Sequence, residues 1–547
     1  MAIDKENEKN NNYDVINYDE IEIDEHSTID FYYSLKEVFL GVIPVSLSSI
    51  SIILLETVNI LFIRNLPNST DILNAFGLGI FLVNTLGVSP NKGFTEAIST
   101  LCSQANGGRK YRLLGIYVSI CRIIQALYIL ILYTPIAVYS YEIFNLFISN
   151  EKLCYQASQF SNYMIPSVFL NSQTQLMNRY LQSMKNFNPE LYISLFALVI
   201  HVFFSWFYTS YLNLELLGSA LSLTTTQLIQ CIILIIYIKF IFLKNEDEKI
   251  NHKDENHTDS KSIEMVESHS QDKDSIIKLD CGKEVGHGTE KGNSNDLIIY
   301  NQENEKESVF NSFIFYSEKV FTEPKYFFSF MVICIPSFFL CILLSIAFES
   351  IVIISSLLGE NEFAASICMF NINMVVYMIS SGFSHSTCSF VGNSIGKYQL
   401  KVTKTYVKAS AILSCFFGVA LTIILFIFES EILKIYSKDD KVIEKAKVIF
   451  PYYLSFTCMD FVGNSISGSC KGLGRQKLIF IFILITFYLL GIPIVYFLGF
   501  YYDMKIKGVW LGFTINVYLL NLGYWIVLFY KSIKSTIQQR KHELKGF

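Results

Sequence analysis

Long apolar runs constrain this chain more than any other feature. Crossing about 30 Å of hydrocarbon takes roughly 20 mostly apolar residues. Stretches 191–211, 219–243, 327–358, 406–429, 478–500 and 508–530 each have that length and character. With the less uniform runs added, twelve spans are predicted: 38–63, 71–100, 112–138, 156–183, 190–211, 215–243, 327–358, 363–395, 402–429, 444–470, 477–500 and 507–531. They are numbered spans 1 to 12 below. The expected fold class is an all-α polytopic membrane protein, with twelve transmembrane helices in two pseudo-symmetric six-helix lobes around a central cavity.

Composition agrees. Half of the chain is hydrophobic (52%), and mean hydropathy is +0.38. The net charge of −5 is carried largely by two polar segments. Residues 1–34 are acidic and Asn-rich, without the apolar core or cleavage site of a signal peptide. They read as a disordered cytosolic tail. Residues 244–325 form a second polar segment, a disordered cytosolic insert, although "ESVFNSFIFYSEKVFTEP" at its end has helical apolar spacing suited to a membrane face. The lobes are then 35–243 and 326–531, with a cytosolic tail at 532–547. No basic stripe suggests nucleic acid. The twelve cysteines fall mostly inside apolar runs and show neither a disulfide pattern nor ligand spacing.

Twelve spans and a cytosolic start place both termini inside. Excess Lys and Arg in cytoplasmic loops tests this. Predicted inner loops carry Arg109, Lys110 and Arg112; Lys397, Lys401 and Lys404; and Lys471, Arg475 and Lys477. The loop between spans 9 and 10 runs against the rule, with Lys434, Lys438, Lys441, Lys445 and Lys447. Asn68-Ser69-Thr70 is a glycosylation sequon on the outer or lumenal side.

The chain repeats itself. "GFTEAISTLCSQANG" (93–107) aligns without a gap on "GFSHSTCSFVGNSIG" (382–396). Gly93 meets Gly382, Gln104 meets Asn393, and Gly107 meets Gly396. Both stretches end the second span of a six-span half and enter a basic loop. Two like-oriented halves imply a pseudo-two-fold along the membrane normal, the plan of transporters that rock two halves about a central site. Gly93, Gly107, Gly382 and Gly396 are read as packing and hinge positions, where small residues let helices approach closely.

Ionisable groups inside spans are costly and mark function by default. Glu56 lies in span 1, Glu349 in span 7 and Asp460 in span 10. Glu56 and Glu349 follow Pro44 and Pro336 at nearly the same distance. A buried carboxylate holds its proton until a cation approaches, which is the basis of cation/proton exchange. Lys92 and Glu96, four residues apart, read as a self-neutralised pair on one helix face. His201 and His385 read as hydrogen-bonded packing, with His385 aligned on Glu96 across the repeat. Arg122 and Arg179 are placed near the interfaces, where long side chains snorkel.

Two enzyme-like motifs fail. Gly392-Asn-Ser-Ile-Gly396 has the spacing of a nucleophile elbow but not its strand–turn–helix setting. Gly463 and Gly468 have P-loop spacing, but Ser469-Cys470 stands where Lys-Ser/Thr belongs. Any pumping should therefore draw on an ion gradient.

These residues resemble the multidrug and toxic compound extrusion (MATE) transporters in their eukaryotic branch, over about 38–531 apart from the insert. "GVSPNKGFTEAISTLCSQANG" is similar to the family's second-span pattern, and "YMISSGFSHSTCSFVGNSIG" to its eighth. "NRYLQSM" (178–184), "SGSCKGLGRQK" (467–477), "YLLGIP" (488–493) and "GVWLG" (508–512) resemble further signatures. The resemblance implies proton- or sodium-driven export of bulky organic cations or other small organic molecules. It matches Glu349 and Asp460 to coupling acids, and Asn84 and Tyr377 to cavity-lining positions. Gln104, in the second-span motif, is assigned to the same cavity. The chain departs from the pattern at Leu344, which replaces a first span-seven acid, and at Ser345 and Ile346, which replace an aromatic pair. Glu56 sits one turn before Asn59, the neighbourhood of a span-one acid in bacterial members.

The expectation is a secondary active antiporter, monomeric in the lipid bilayer of the plasma membrane or an acidic organelle. It exchanges protons, with sodium as the other candidate ion, for organic cations, and needs no cofactor. The alternatives are efflux of an organic anion or citrate-like metabolite by the same fold, a lipid-linked precursor flippase, and a membrane-bound acyl-transfer enzyme.

Overall fold

A computed structural model describes residues 23–67, 69–242, 323–437 and 439–545. The expectations for 1–22, for Asn68 and its sequon, and for the insert from 243 to 322 lie outside these residues. Among the described residues, ten helices are long and apolar enough to cross a membrane. They are spans 1 (Phe31–Ile63), 2 (Ser69–Gly107), 3 (Tyr111–Val138), 5 (Asn188–Tyr211), 6 (Glu215–Lys239), 7 (Pro324–Ser356), 8 (Glu360–Gly396), 9 (Leu400–Ile427), 11 (Gln476–Tyr501) and 12 (Lys505–Tyr530). Two more polar helical segments complete twelve. Span 4 is Glu151–Tyr163 continued by Ile165–Ser183, and span 10 is Asp440–Gly472. They occupy the same place in each half, and their polarity belongs to the interlobe contacts described below.

Both tails are more ordered than their composition suggests. The first helix begins at Phe31, capped by Asp30, whose side chain accepts from the Tyr33 amide at 3.3 Å. Before it, the Asp24 amide donates to Tyr398 O at 3.1 Å, and Glu25 pairs with Lys534 at 2.6 Å. After span 12, residues Ile533–Lys545 form a helix that buries Ile537. Residues 24 and 25 and the helix Ile533–Lys545 thus lie against the protein.

Prolines shape three spans in one way. The segments Val83–Val88, Ile129–Tyr133 and Leu484–Gly491 are wide π-helical turns, each ending two residues before a proline (Pro90, Pro135, Pro493). Proline has no N–H to give to the carbonyl four residues back, and a π turn is a common way to absorb such a break. In span 2 the orphaned acceptor is Leu86 O, and the Tyr128 hydroxyl of span 3 donates to it at 2.5 Å.

The two lobes have separate hydrophobic cores, but the cores do not divide at the insert. Val38, Val42 and Val45 of span 1 pack into the core built by the second half of the chain. Tyr326, Phe330, Ile333 and Cys334 of span 7 pack into the first. Pro44 and Pro336 mark the changeover, so each lobe holds the leading half of the other's first helix. The expected lobe boundaries, 35–243 and 326–531, therefore describe the trailing halves of spans 1 and 7 and not the leading ones.

The repeat is visible in three dimensions. Thr100 Oγ1 of span 2 donates to Lys471 O at 3.0 Å, and Ser389 Oγ of span 8 donates to Gln182 O. Gln104 Nε2 donates to Gly472 O and Asn393 Nδ2 to Ser183 O, both at 2.8 Å. One constant offset maps the first bond of each pair onto the second. The same offset relates Arg109 to Tyr398 and Lys185 to Gly474, all with positive φ, a conformation uncommon outside glycine. A Cβ on Gly107 would strike Asn393 O, and one on Gly396 would strike Gln104 O. Gly93 abuts span 7 at Phe338, and Gly382 abuts span 1 at Ser46.

Candidate substrate and ion sites

Polar residues inside the bundle fall into three groups. The first lies in the N-lobe. Asn84 Nδ2, beside the π turn of span 2, donates to Glu56 Oε1 of span 1 at 3.2 Å. Two residues predicted separately, one from its charge and one from the family pattern, thus share a site. One turn on, Asn59 is fully buried. Its Nδ2 donates to Ser219 O, and its Oδ1 accepts from Ser205 and Ser222 at 2.8 and 3.0 Å. Asn59 therefore ties spans 1, 5 and 6 together while Glu56 stays half-exposed. His201 is likewise spent on packing, between Thr226 Oγ1 at 2.9 Å and Leu55 O at 3.1 Å.

The second group lies in the C-lobe. Asp460 Oδ2 accepts from Ser380 Oγ of span 8 at 3.0 Å and from Asn464 Nδ2, one turn along span 10, at 3.2 Å. Asn464 also donates to Ser380 Oγ at 3.0 Å, closing a triangle. Glu349 makes no hydrogen bond or ion pair among the described residues. Beside it the Phe348 ring meets Tyr377, with centroids 6.0 Å apart. Ser380 and Asn464 escaped the sequence reading. Asn464 was findable as the polar residue on the Asp460 face, whereas Ser380 looks like any small residue in a helix that is rich in them.

The third group crosses between the lobes and overturns several expectations. Glu96 does not pair with Lys92. Its Oε2 faces Lys471 Nζ of span 10 at 3.1 Å, and its Oε1 lies 3.4 Å from His385 Nδ1 of span 8. Helical spacing allowed the local pair, but Glu96 is directed into the interlobe seam and the opposite lobe supplies the stronger partner. Arg179 is not at an interface. It is 7% exposed, donates from Nη1 to Gln182 Oε1 at 2.7 Å and meets His385 Nε2 from Nη2 at 2.9 Å. Arg122 is half-buried, with Nε donating to Gln173 Oε1 at 3.0 Å. Lys471, expected in an inner loop, is buried. So is Arg475, which donates to the terminal carbonyls of span 12 at Val527, Leu528 and Lys531. Gln104 is 2% exposed and bound to Gly472 O. It seals the seam and does not line the cavity to which it was assigned.

The interlobe hydrogen bonds have a direction. Those of spans 1, 2, 7 and 8 run from mid-helix, at Ser46–Ile379 O (2.8 Å) and Ser89–Ser345 (2.7 Å), to the end that carries the termini. None crosses beyond mid-span among the described residues. Among the described residues the lobes are thus hydrogen-bonded to each other from mid-span to the terminal side.

Comparison with known proteins identifies this arrangement. The MatE family model matches residues 44–207 and again 336–497, one match in each half. The chain belongs to the MATE family of transporters. Protein DETOXIFICATION 17 of Arabidopsis thaliana is 23% identical over 465 residues, covering 84% of this chain and 82% of its own. DETOXIFICATION 7 of the same plant is 22% identical, covering 91% and 85%. Among solved structures, the eukaryotic MATE transporter AtDTX14 superposes with a TM-score of 0.75 at 19% identity, covering 94% of this chain and 99% of that one. A Pyrococcus furiosus transporter of the MOP superfamily, described by a reverse polarity of its binding pocket, matches at 0.70 with 14% identity, covering 92% and 97%. This MATE protein is therefore a multi-pass membrane transporter, and its family handles small organic substrates. Twelve helices in two lobes are the family's fold.

Proposed function

We propose that this MATE transporter exports organic cations in exchange for protons by alternating access. The observation that carries the reading is the environment of its carboxylates. Asp460 is held by Ser380 and Asn464, Glu56 by Asn84, and Glu349 by no polar group. No Lys, Arg or His lies within ion-pair distance of any of the three among the described residues. A carboxylate inside a membrane protein with only neutral partners is free to hold a proton or to release it for an incoming cation, but not both at once. Lobes hydrogen-bonded to each other only toward one end among the described residues can part at the other, which would give substrate a path there. Arg109, Lys110 and Lys397 at the joined ends support a cytosolic position for those ends, with the opposite side toward the outside or an organelle lumen. Protonation there discharges the cation, and deprotonation after reorientation restores affinity inside.

Transport in proteoliposomes, with proton and sodium gradients imposed separately across a panel of organic cations and anions, tests this. Uptake of cations driven by protons alone is expected. Uptake driven only by sodium would reassign the ion. Export of an organic anion is the second reading, favoured by Lys92, which is half-buried and forms no ion pair among the described residues. The anion arm of the panel decides it.

A further inference from the structure

The interlobe charges are not needed to hold the lobes together. The two symmetry-related pairs of hydrogen bonds, from Thr100 and Gln104 and from Ser389 and Asn393, already close the seam. The charges break that symmetry. Positions equivalent to Glu96, Lys471 and Arg179 are His385, Gln182 and Gly468, so a single set of ions occupies a junction built from two copies. Spans 2 and 4 contribute Glu96 and Arg179 from one lobe, and spans 8 and 10 contribute His385 and Lys471 from the other. All four are almost fully removed from solvent; Glu96 and Lys471 have side chains 6% and 10% exposed. Their bonding is incomplete among the described residues: Arg179 Nε has no hydrogen-bond partner there, and His385 Nδ1 has only the 3.4 Å contact with Glu96. Gln182 extends the chain by donating to Glu190 of span 5.

A buried ion pair contributes little net stability while intact, but separating its partners in place is severe. That asymmetry suits a two-position switch, closed and dry or open and hydrated, with little in between. We propose that the Glu96–Lys471 pair, positioned by His385 and Arg179, is the gate on the terminal side of the substrate path. Its rupture with hydration of both charges is the step that opens this side. The proposal rests on the alternating-access reading given above. It assigns these residues to positioning the lobes and not to holding substrate or proton.

Cys388 reports on the gate. It is fully buried, with Sγ 3.8 Å from Thr100 Oγ1. In full-length protein, its modification by a water-soluble maleimide is read by peptide mass spectrometry, with Cys121 in the N-lobe core as the internal control. Lys471→Met and Glu96→Gln should each raise Cys388 modification by roughly tenfold or more and leave Cys121 unchanged. The reversed pair, Glu96→Lys with Lys471→Glu, should bring Cys388 back toward the wild-type rate. Protection of Cys388 in both single variants would overturn the gate. So would a rise shared by Cys121 that the reversed pair does not suppress, because that reports loosening of a whole lobe. Proton-driven uptake by a Glu349→Gln variant separates the two claims: if it persists while Cys388 behaves as expected, the coupling assignment falls and the gate stands.

Discussion

At the scale of single residues, a carboxylate's function follows from which donors it lacks. Asp460 and Glu96 are both acids inside helices, yet Glu96 is neutralised by Lys471 and Asp460 meets only a hydroxyl and an amide. Asp460→Asn should therefore abolish exchange while leaving the fold intact, because asparagine keeps the shape and the partners. Ser380→Ala removes one of two neutral donors, typically about 1.5–3 kcal/mol for a hydrogen bond to a charged acceptor. It should shift the pH dependence of transport without stopping it, as measured by initial uptake rates across a pH series. Tyr128→Phe tests structure alone. It removes the hydroxyl that serves Leu86 O, and the loss should be about 0.5–1 kcal/mol, seen as a slightly lower unfolding temperature with normal transport. The acids themselves were legible in the sequence, since few charges interrupt the spans. Their partners were not. Helical spacing predicted Lys92–Glu96, and nothing local reveals that Lys471, far along the chain and next to a loop, reaches the same carboxylate.

At the scale of elements, spans 2 and 8 form the close crossing between the two lobes. Their glycines were readable from the repeat because position and residue agreed in both copies. What each glycine touches was not readable. Gly107 and Gly396 face each other's helix at the backbone of Asn393 and Gln104, whereas Gly93 and Gly382 face spans 7 and 1. Gly107→Val should therefore wedge the crossing apart, lower transport at least tenfold and raise Cys388 modification in the assay described above. The polar character of spans 4 and 10 has the same origin. Their last turns carry Arg179, Gln182 and Lys471 into the seam, which lowers their apolarity below that of an ordinary membrane helix. The placement of Gln104 in the cavity failed for a related reason: a polar residue in a span points equally well to a cavity or to a polar seam, and periodicity does not separate them.

At the scale of the whole molecule, the twelve helices and two halves followed from hydropathy and duplication, and the MatE match in each half agrees. The exchange of leading halves between spans 1 and 7 was hidden, because an apolar face carries no label for the core it joins. That exchange has a mechanical consequence. With Pro44 and Pro336 at the changeovers, bending at either proline moves one lobe against the other without unpacking a core. Interlobe hydrogen bonds confined to the terminal side among the described residues fit one of the two positions that the proposed alternating access requires.

The central claim is that protons and organic cations compete for carboxylates with neutral partners, with Glu349 the least encumbered. The direct measurement is proton flux in proteoliposomes when a transported cation is added with no pH gradient present. Wild-type protein should move protons against the cation, and Glu349→Gln should show no such flux while still folding into the membrane. Undiminished cation-driven proton movement in Glu349→Gln would contradict the account.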